Sequence, residues 1–255
     1  MKKIFKMFLP NRLFVLIRNY KNYKIKQEGR KQKEYEFDII FSLGNSCRPA
    51  YYLRKHKLRI YANPLDWMMV YSLETVVNLY QSKFNDFFIN FSEHKQKPNW
   101  FTDVKNNITS VHYPEIKYDN KTFNKRMKKR FNKVNQKLKK ANKICFLSQR
   151  NEKQTNFIDF LTKIGNLYSA EITLINIKHN EEIDGIILPV KYSTKKISDQ
   201  LKLIEYEFND IHPNGNDCNT NSNFWIGNVN FWDEIVGKIH IKTKFIPYLL
   251  KKESL

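Results

Sequence analysis

The sequence predicts a mixed α/β domain in which a mainly parallel sheet lies between two layers of helices. Short apolar runs at 37–43, 144–147 and 171–177 alternate with helix-like segments of ten or more residues. Such alternation is typical of parallel strands that are joined by crossover helices. Of the 255 residues, 41% are hydrophobic and 15% are aromatic, so the chain can bury a substantial core.

The first half of the chain divides into an extension and the start of a domain. Residues 1–36 are predicted to form a basic amphipathic extension and linker, and residues 37–255 a single domain. The first strand ends at Gly44, and Ser72 is a favourable N-cap for a helix over 72–88. The other elements predicted here are helix 48–57, the irregular segment 89–107 and a strand over 108–113 that carries His112.

The second half contains the clearest helical signal, at 121–143. Apolar residues recur there every three or four positions, which is typical of one stripe of an amphipathic helix. The stripe consists of Phe123, Met127, Phe131, Val134, Leu138 and Ala141. Asn228 is a favourable N-cap for a last helix over 229–239. The remaining predicted elements are strand 144–147, helix 153–164, strands 171–177 and 185–190, helix 195–208 and the polar loop 209–223.

The chain is strongly basic, with 45 Lys and Arg against 25 Asp and Glu and a net charge of +20. This balance suits an anionic membrane, a nucleic acid or a phosphorylated substrate. A compositional explanation stays open, because a chain this rich in Lys, Asn and Ile can reflect an AT-rich genome. Nucleic acid ranks below the membrane, because the aromatic residues of 121–143 lie in the buried stripe rather than on an exposed platform.

The N-terminus is basic and apolar but too short to span a membrane. Residues 1–17 contain an uncharged apolar run of only five residues, 13–17, whereas a spanning helix needs about 20. No small-residue cleavage site follows it, so a signal peptide is not indicated. Two hypotheses stay open: an amphipathic segment on the inner leaflet of the membrane, or an extension that packs on the domain.

Cysteine usage and motif content exclude several classes of protein. The three cysteines, Cys47, Cys145 and Cys218, form no C-x-x-C pair, so no disulfide framework and no metal site are predicted, and a reducing, cytoplasmic setting follows. The sequence lacks a P-loop, a G-x-G-x-x-G turn, an H-E-x-x-H pair and an Asp-x-Asp pair. No cofactor is therefore predicted, apart from an acyl donor such as acetyl-CoA if the protein is a transferase.

The most informative segment is Ser42–Cys47, which separates the first strand from the first helix. Open α/β folds bind ligands at the carboxyl ends of their strands, which is where this turn lies. Cys47 lies at the start of a helix, whose partial positive charge is expected to lower the pKa of the thiol. The structural alternative is a glycine turn followed by a half-buried cysteine.

Four blocks in order support a resemblance to a known family. They are Ser42-Leu43-Gly44-Asn45-Ser46-Cys47-Arg48-Pro49-Ala50 with Leu53-Arg54, Pro64-Leu65-Asp66-Trp67, His112, and Arg126-Met127-Lys128-Lys129-Arg130-Phe131. Together they resemble a bacterial family of papain-like cysteine peptidases over roughly residues 37–150. The resemblance implies that Cys47 is the nucleophile and His112 its base. The papain fold itself is not expected, because a strand precedes the cysteine and βα units follow it.

A second resemblance gives a competing base. Leu43-Gly44-Asn45-Ser46 and Asn209-Asp210-Ile211-His212-Pro213-Asn214-Gly215 resemble the first and last motifs of SGNH-type esterases and acyltransferases, and the turn is also similar to that of capsule-biosynthesis acetyltransferases. This similarity implies a flavodoxin- or SGNH-like sheet, with His212 as the base and Ser46 as an alternative nucleophile. The choices between His112 and His212, and between Cys47 and Ser46, stay open.

The resulting hypothesis is an acyl-transfer enzyme, either a hydrolase or an acyltransferase, that acts on a small-molecule or glycan substrate in surface glycan biosynthesis. Gly44 and Asn45 are candidates for the oxyanion hole, which needs N–H donors facing the developing negative charge. Asp66 is a candidate for substrate binding, although an aspartate that accepts turn N–H bonds is the favoured interpretation. The basic candidates for substrate binding are Arg126, Arg130 and Arg150. The alternative is a non-catalytic module that binds an anionic membrane or nucleic acid, with the protein cytoplasmic or peripheral to the inner leaflet.

Overall fold

The computed structural model describes residues 34–95, 97–183 and 191–242. Its strands are β1 Tyr35–Phe37, β2 Ile39–Ser42, β3 Met68–Met69, β4 Phe91–Glu93, β5 Phe101–Asp103, β6 Ile108–Ser110, β7 Lys143–Gln149, β8 Glu171–His179, β9 Lys191–Lys196, β10 Leu201–Phe208 and β11 Ile239–Ile241. Its α-helices are α1 Arg48–Lys55, α2 Leu73–Gln81, α3 Glu115–Tyr118, α4 Asn120–Leu138, α5 Gln154–Gly165 and α6 Val229–Gly237.

The central sheet has five strands in the order β2-β7-β8-β10-β9. The first four are parallel to one another, and β9 pairs with β10 in the antiparallel direction. In register across the sheet, Phe41 lies beside Phe146, which lies beside Leu174. The mainly parallel sheet is confirmed, and so are its predicted strands 144–147 and 171–177. The predicted strand 37–43 is divided: 39–42 forms β2 of this sheet, whereas Phe37 ends β1, which pairs in parallel with β11 in a separate two-stranded sheet.

Two separate hydrophobic cores cover the two faces of this sheet, because successive side chains of a strand point to opposite faces. Ile144 and Phe146 of β7 pack in the core formed with α2, α4 and α5. Cys145 and Leu147 of the same strand pack in the core formed with α1 and α6. The protein is therefore a three-layer α/β structure, as predicted.

A second sheet is antiparallel and has the order β3-β6-β5-β4. Its strands are only two or three residues long, and they lie in the chain between α1 and α3. The prediction that 89–107 is irregular is wrong, because this segment contains β4 and β5. Strands of three residues are too short to display an alternating pattern in the sequence.

The predicted helix over 195–208 is also wrong. This segment contributes to the hairpin of β9 and β10, with Lys196 opposite Lys202 and Tyr192 opposite Tyr206. Strand β10 lies inside the central sheet, and four consecutive residues from Leu203 to Tyr206 are buried. A strand that is buried on both faces loses the alternation that distinguishes it from a helix, which explains the error.

The other predicted helices lie where the sequence places them, and two of their caps were identified from the sequence. The short helix α3 was not predicted. The Ser72 side chain accepts the backbone N–H of Thr75, and that of Asn228 accepts the N–H of Phe231. Helix α2 ends at Gln81, well before the predicted 88, and helix α4 buries its apolar stripe as predicted. No helix among the described residues is long and apolar enough to cross a membrane. Of the predicted extension and linker 1–36, residues 1–33 fall outside the described residues, and so does the predicted strand 185–190. Tyr35 and Glu36, predicted as linker, belong to β1.

Candidate active site

The turn between β2 and α1 has a backbone that few residues can adopt. Gly44 and Asn45 both have left-handed φ angles, of 50° and 72°. A Cβ atom on Gly44 would lie 2.0 Å from the hydroxyl oxygen of Tyr71, so no larger residue fits without a shift of that ring. Glycine is required here for its backbone conformation and for the close approach of Tyr71.

Arg150 stabilises this turn from inside the protein. Its guanidinium donates to the carbonyl oxygens of Tyr71 at 2.5 Å and Leu43 at 3.0 Å, and it pairs with Glu152 at 2.8 Å. The residue is only 2% exposed, and its guanidinium carbon lies 5.1 Å from the centre of the Tyr71 ring. The prediction that Arg150 binds substrate does not fit this position, because its donors are directed at backbone carbonyls inside the protein.

Asn45 connects the turn to the second sheet. Its Oδ1 atom accepts the backbone N–H of Tyr71 at 3.2 Å, and its backbone forms an isolated parallel bridge with Met69 of β3. Since Oδ1 is occupied and the residue is exposed, the Nδ2 group is the donor that Asn45 retains for another partner.

Cys47 and His112 meet directly at the carboxyl end of the central sheet. The distance between Cys47 Sγ and His112 Nε2 is 3.3 Å, within hydrogen-bond range for sulfur. Cys47 is the N-cap of α1, and His112 follows β6 in the antiparallel sheet. Of the two candidate histidines, His112 is therefore the one in hydrogen-bond contact with Cys47.

Both members of this pair are held towards their neutral forms. Burial raises the pKa of the Cys47 thiol to about 11, and burial also lowers the pKa of His112. The expectation that the helix start lowers the pKa of Cys47 is therefore wrong, because loss of hydration outweighs it. The thiol can donate to Nε2 only if the imidazole carries its own proton on Nδ1.

The Ser46 hydroxyl forms its hydrogen bonds with residues other than the two candidate histidines. Its hydroxyl donates to Oε1 of Gln149 at 2.6 Å and accepts the backbone N–H of Arg48 at 3.3 Å. Gln149 in turn donates to Asp210 at 2.7 Å. The Ser46 hydroxyl is therefore engaged by Gln149 and by the backbone at the start of α1, and no described histidine is bonded to its oxygen.

Asp210 is the buried centre of a polar network beside the turn. It forms an ion pair with Arg48 and accepts the N–H of Asn228 and the indole N–H of Trp232, each at 2.9 Å. Burial raises the pKa of Asp210 although Arg48 opposes this. His212 is nearby in the chain and 8% exposed, but its Nδ1 accepts the N–H of Asn214. Among the described residues, no hydrogen bond joins His212 to Cys47 or Ser46.

Asp66 has a structural position, as the favoured interpretation predicts, and is 2% exposed. Its carboxylate accepts the Ser42 hydroxyl at 2.5 Å, Nε of Arg59 at 2.6 Å and the backbone N–H of Asn63 at 2.9 Å. These bonds leave Asp66 directed into the protein, so the prediction that it binds substrate does not fit.

Arg126 and Arg130 both contact Tyr113, the residue after His112. Their guanidinium carbons lie 5.5 Å and 5.9 Å from the centre of the Tyr113 ring. Arg126 forms an ion pair with Glu115, whereas Arg130 donates to the Tyr113 hydroxyl at 3.1 Å and has no carboxylate partner among the described residues. Their role in substrate binding stays a prediction.

Several residues of the site were not predicted from the sequence. Gln149 is the last residue of β7, and its place at the carboxyl end of a predicted parallel strand is a signal that could have identified it. Trp67, whose ring lies 5.7 Å from that of His112, was interpreted only as a packed side chain. Tyr71 gave no signal, because its contact with Gly44 depends on the path of the second sheet.

Among the described residues, no group of His, Cys, Asp and Glu side chains could hold a metal ion. A family model described as "Putative papain-like cysteine peptidase" matches residues 38–182, more than half of the chain. The matched range includes Cys47, His112 and Gln149 but not Asp210. No curated protein and no solved structure matches the chain. The chain therefore belongs to the putative papain-like cysteine peptidase family DUF1796.

Proposed function

We propose that this protein is a cysteine hydrolase in which Cys47 attacks an acyl carbon and His112 transfers the proton. The observation that carries the proposal is the distance of 3.3 Å between Cys47 Sγ and His112 Nε2. A nucleophile and a base within hydrogen-bond reach, at the carboxyl ends of parallel strands, form the minimum arrangement for such chemistry. Family membership supports the same reaction class.

The reaction starts from the neutral pair. As Sγ forms a bond to the acyl carbon, the thiol proton moves to Nε2, and the carbonyl π electrons move to its oxygen. When the carbonyl re-forms, the bond to the leaving group breaks, and the leaving amine or alcohol takes the proton from Nε2. Water then attacks the thioester with His112 as its base, and the thiol recovers its proton when the acid is released.

Two donors are available to stabilise the oxyanion. The Nδ2 group of Asn45 is the first, since hydrogen bonding of Oδ1 to Tyr71 fixes the amide orientation. The backbone N–H of Cys47, at the N-cap of α1, is the second. Fixed donors of this kind contribute roughly 10²- to 10³-fold each to the rate of acyl transfer.

The proposed function extends to the substrate and to the acyl acceptor. We propose a small-molecule or glycan substrate with an anionic group that Arg130 contacts. A hydroxyl acceptor in place of water would make the enzyme an acyltransferase, with acetyl-CoA as one donor and a surface glycan as one acceptor.

The test uses p-nitrophenyl acetate with the full chain. The expected result is a burst of nitrophenol and an acetyl group on Cys47, located by mass spectrometry of the intact protein and its peptides. Cys47→Ala should abolish both, whereas Ser46→Ala should keep the acetyl group on Cys47. Acetylation of Ser46 in the wild-type protein would contradict the proposal, and transfer of the acetyl group to added glycerol faster than to water would identify a transferase.

We propose membrane binding as a second function, because of the positive charge on helix α4. Several cations of α4 form no salt bridge among the described residues: Lys121, Lys125, Lys128, Lys129, Arg130 and Lys137. Each cation near an anionic leaflet contributes about 1 kcal/mol, and salt screens the attraction. The protein would then be cytoplasmic and peripheral to the inner leaflet.

The test measures co-sedimentation with phosphatidylglycerol and phosphatidylcholine vesicles at low and high salt. Replacing Lys121, Lys125 and Lys129 with Gln should weaken binding to the anionic vesicles. Replacing three exposed lysines elsewhere, Lys83, Lys97 and Lys196, is the matched control and should weaken it less. Equal sedimentation with both lipids at low salt would show that the charge is compositional.

A further inference from the structure

The imidazole of His112 has an aromatic neighbour where a polar partner is usually found. No described residue forms a hydrogen bond with its Nδ1 atom, although a catalytic histidine is commonly oriented by a third group. The Trp67 ring instead lies edge-to-face with the His112 ring, with centres 5.7 Å apart and planes at 75°. Such an edge-to-face contact favours one orientation of the ring.

The register of the second sheet brings these two rings together. Strand β3 pairs antiparallel with β6, so that Met68 lies opposite Ser110. Trp67 directly precedes β3 and His112 follows β6, and both therefore lie at the same end of this pair. Met69 at the other end of β3 forms the bridge to Asn45. A strand of two residues thus connects the turn that carries Cys47 with the segment that carries His112.

The backbone around Trp67 is rigid and strained. The preceding residue, Asp66, is fixed by bonds to Ser42, Arg59 and Asn63. Trp67 and Val70, on either side of β3, have left-handed φ angles of 67° and 55°. Such a conformation is unfavourable for a bulky residue and persists mainly where the surrounding structure enforces it, often at functional sites.

We infer that Trp67 is a positioning residue, which holds the His112 ring with Nε2 towards Cys47 and shields one side of it from water. This inference rests on the proposed function of the Cys47–His112 pair and extends it. Shielding favours the neutral imidazole, because loss of hydration disfavours the charged form. Trp67 therefore keeps His112 able to accept a proton, in place of an acidic or amide partner at Nδ1.

The experiment replaces Trp67 with Leu or Met, which remove the aromatic edge, and with Phe, which keeps it. Two-dimensional NMR of labelled histidine measures the pKa of His112 and its tautomer in each full-length protein. The Leu and Met variants should raise the pKa of His112, and the Phe variant should keep it near the wild-type value. Having both Leu and Met keeps the test valid if one of them fails to fold.

Kinetics with p-nitrophenyl acetate provide the second measurement. In the Leu and Met variants, kcat should fall by roughly 10²-fold with KM little changed, since misplacement of a base by about 1 Å has such an effect. The acid limb of the pH profile should move to higher pH together with the pKa of His112. Trp100 is the matched control, because its ring lies 6.2 Å from that of His94 at 66°, a similar pair outside the site. Trp100→Leu should leave both measurements unchanged.

The outcomes separate this inference from the proposed function. An unchanged pKa of His112 and an unchanged kcat in the folded Leu or Met variant would overturn the role of Trp67. The wild-type protein could form no acetyl-enzyme while the pKa of His112 still rises in these variants. In that case the proposed hydrolase activity is wrong, and the effect of Trp67 on His112 stands. A fall in kcat for Trp100→Leu as large as that for Trp67→Leu would show a general packing effect and overturn the inference.

Discussion

The two halves of the candidate site come from sheets of different kinds. Cys47 follows β2 of the parallel sheet, and a turn of five residues, 43–47, determines its position. His112 follows β6 of the antiparallel sheet, and its position depends on the pairing of β3 with β6 and on the bridge from β3 to Asn45. The cysteine therefore lies in one short turn, which Arg150 stabilises, whereas the histidine is brought to it by strand pairing between segments that are distant in the sequence.

This difference explains why one half of the site is easier to recognise than the other. The glycine, the helix start and the preceding apolar strand all mark Cys47 within ten residues. Nothing comparable surrounds His112, because β6 is only three residues long. The two halves can therefore be perturbed separately, and so can the contact between them.

Substitution of the histidine should have the largest effect. His112→Ala should lower kcat/KM for p-nitrophenyl acetate by about 10²- to 10⁴-fold, the usual contribution of a general base. His212→Ala is the matched control and should stay near the wild-type rate, since its Nδ1 contacts only a neighbouring loop N–H. A larger loss for His212→Ala than for His112→Ala would assign the base to the other end of the chain.

The cysteine turn should be sensitive to a single methyl group. Gly44→Ala should lower the free energy of unfolding by about 2–4 kcal/mol, from left-handed strain and from overlap with Tyr71. Gly215 also has a left-handed φ, of 94°, but nothing lies within 4 Å of its added Cβ. Gly215→Ala should therefore show the strain alone, and urea unfolding compares the two. Equal losses would mean that contact with Tyr71 contributes nothing.

The link between the halves can be tested at Asn45. Asn45→Asp keeps an oxygen that accepts the N–H of Tyr71 but removes the Nδ2 donor. It should lower kcat by about 10²-fold while stability changes little, as expected for loss of one oxyanion donor. Urea unfolding of the same variant is the control for the retained bond to Tyr71, and an unchanged kcat would show that Nδ2 of Asn45 is not an oxyanion donor.

The smallest expected effect is the pH dependence of Cys47 alkylation. Iodoacetamide reacts with the thiolate, and burial raises the pKa of Cys47 to about 11. In a Cys218→Ser background, which removes the exposed thiol, the rate should keep rising with pH well above neutrality. Cys145 is 0% exposed and should stay unmodified in the native protein. A rate that levels off near pH 7 would indicate a thiolate–imidazolium pair instead of the neutral pair.

How much could be predicted from sequence differs between the parts of the molecule. The three parallel strands, the amphipathic stripe of α4 and the cap residue Ser72 were recognisable, because each has a local pattern. The role of Asp66 as an acceptor of turn N–H bonds followed from its short motif. Strand β10 was mistaken for a helix, because the burial of its central residues on both faces removes the alternation that marks a strand.

In the candidate site, too, the features that depend on tertiary structure could not be predicted from the sequence. The sequence identified the histidine that contacts Cys47 only as one of two candidates, since the choice depends on sheet register. The lowered pKa expected for Cys47 was wrong, because the thiol is buried, and burial depends on tertiary packing that has no local pattern in the sequence. Arg150 was assigned to the substrate for the same reason: its carbonyl partners, Leu43 and Tyr71, are distant in the chain.

The pairing of β10 with β8 determines where the chain can be truncated for expression. Residues 201–208 pair with 172–179 along their whole length, yet the family match ends at residue 182. A fragment that stopped there would leave the apolar β8 as an open edge, and exposed edges of this kind recruit other chains and aggregate. It would also lose Asp210, leaving Arg48 and Gln149 without their carboxylate. Expression trials should therefore keep the chain at least to β11.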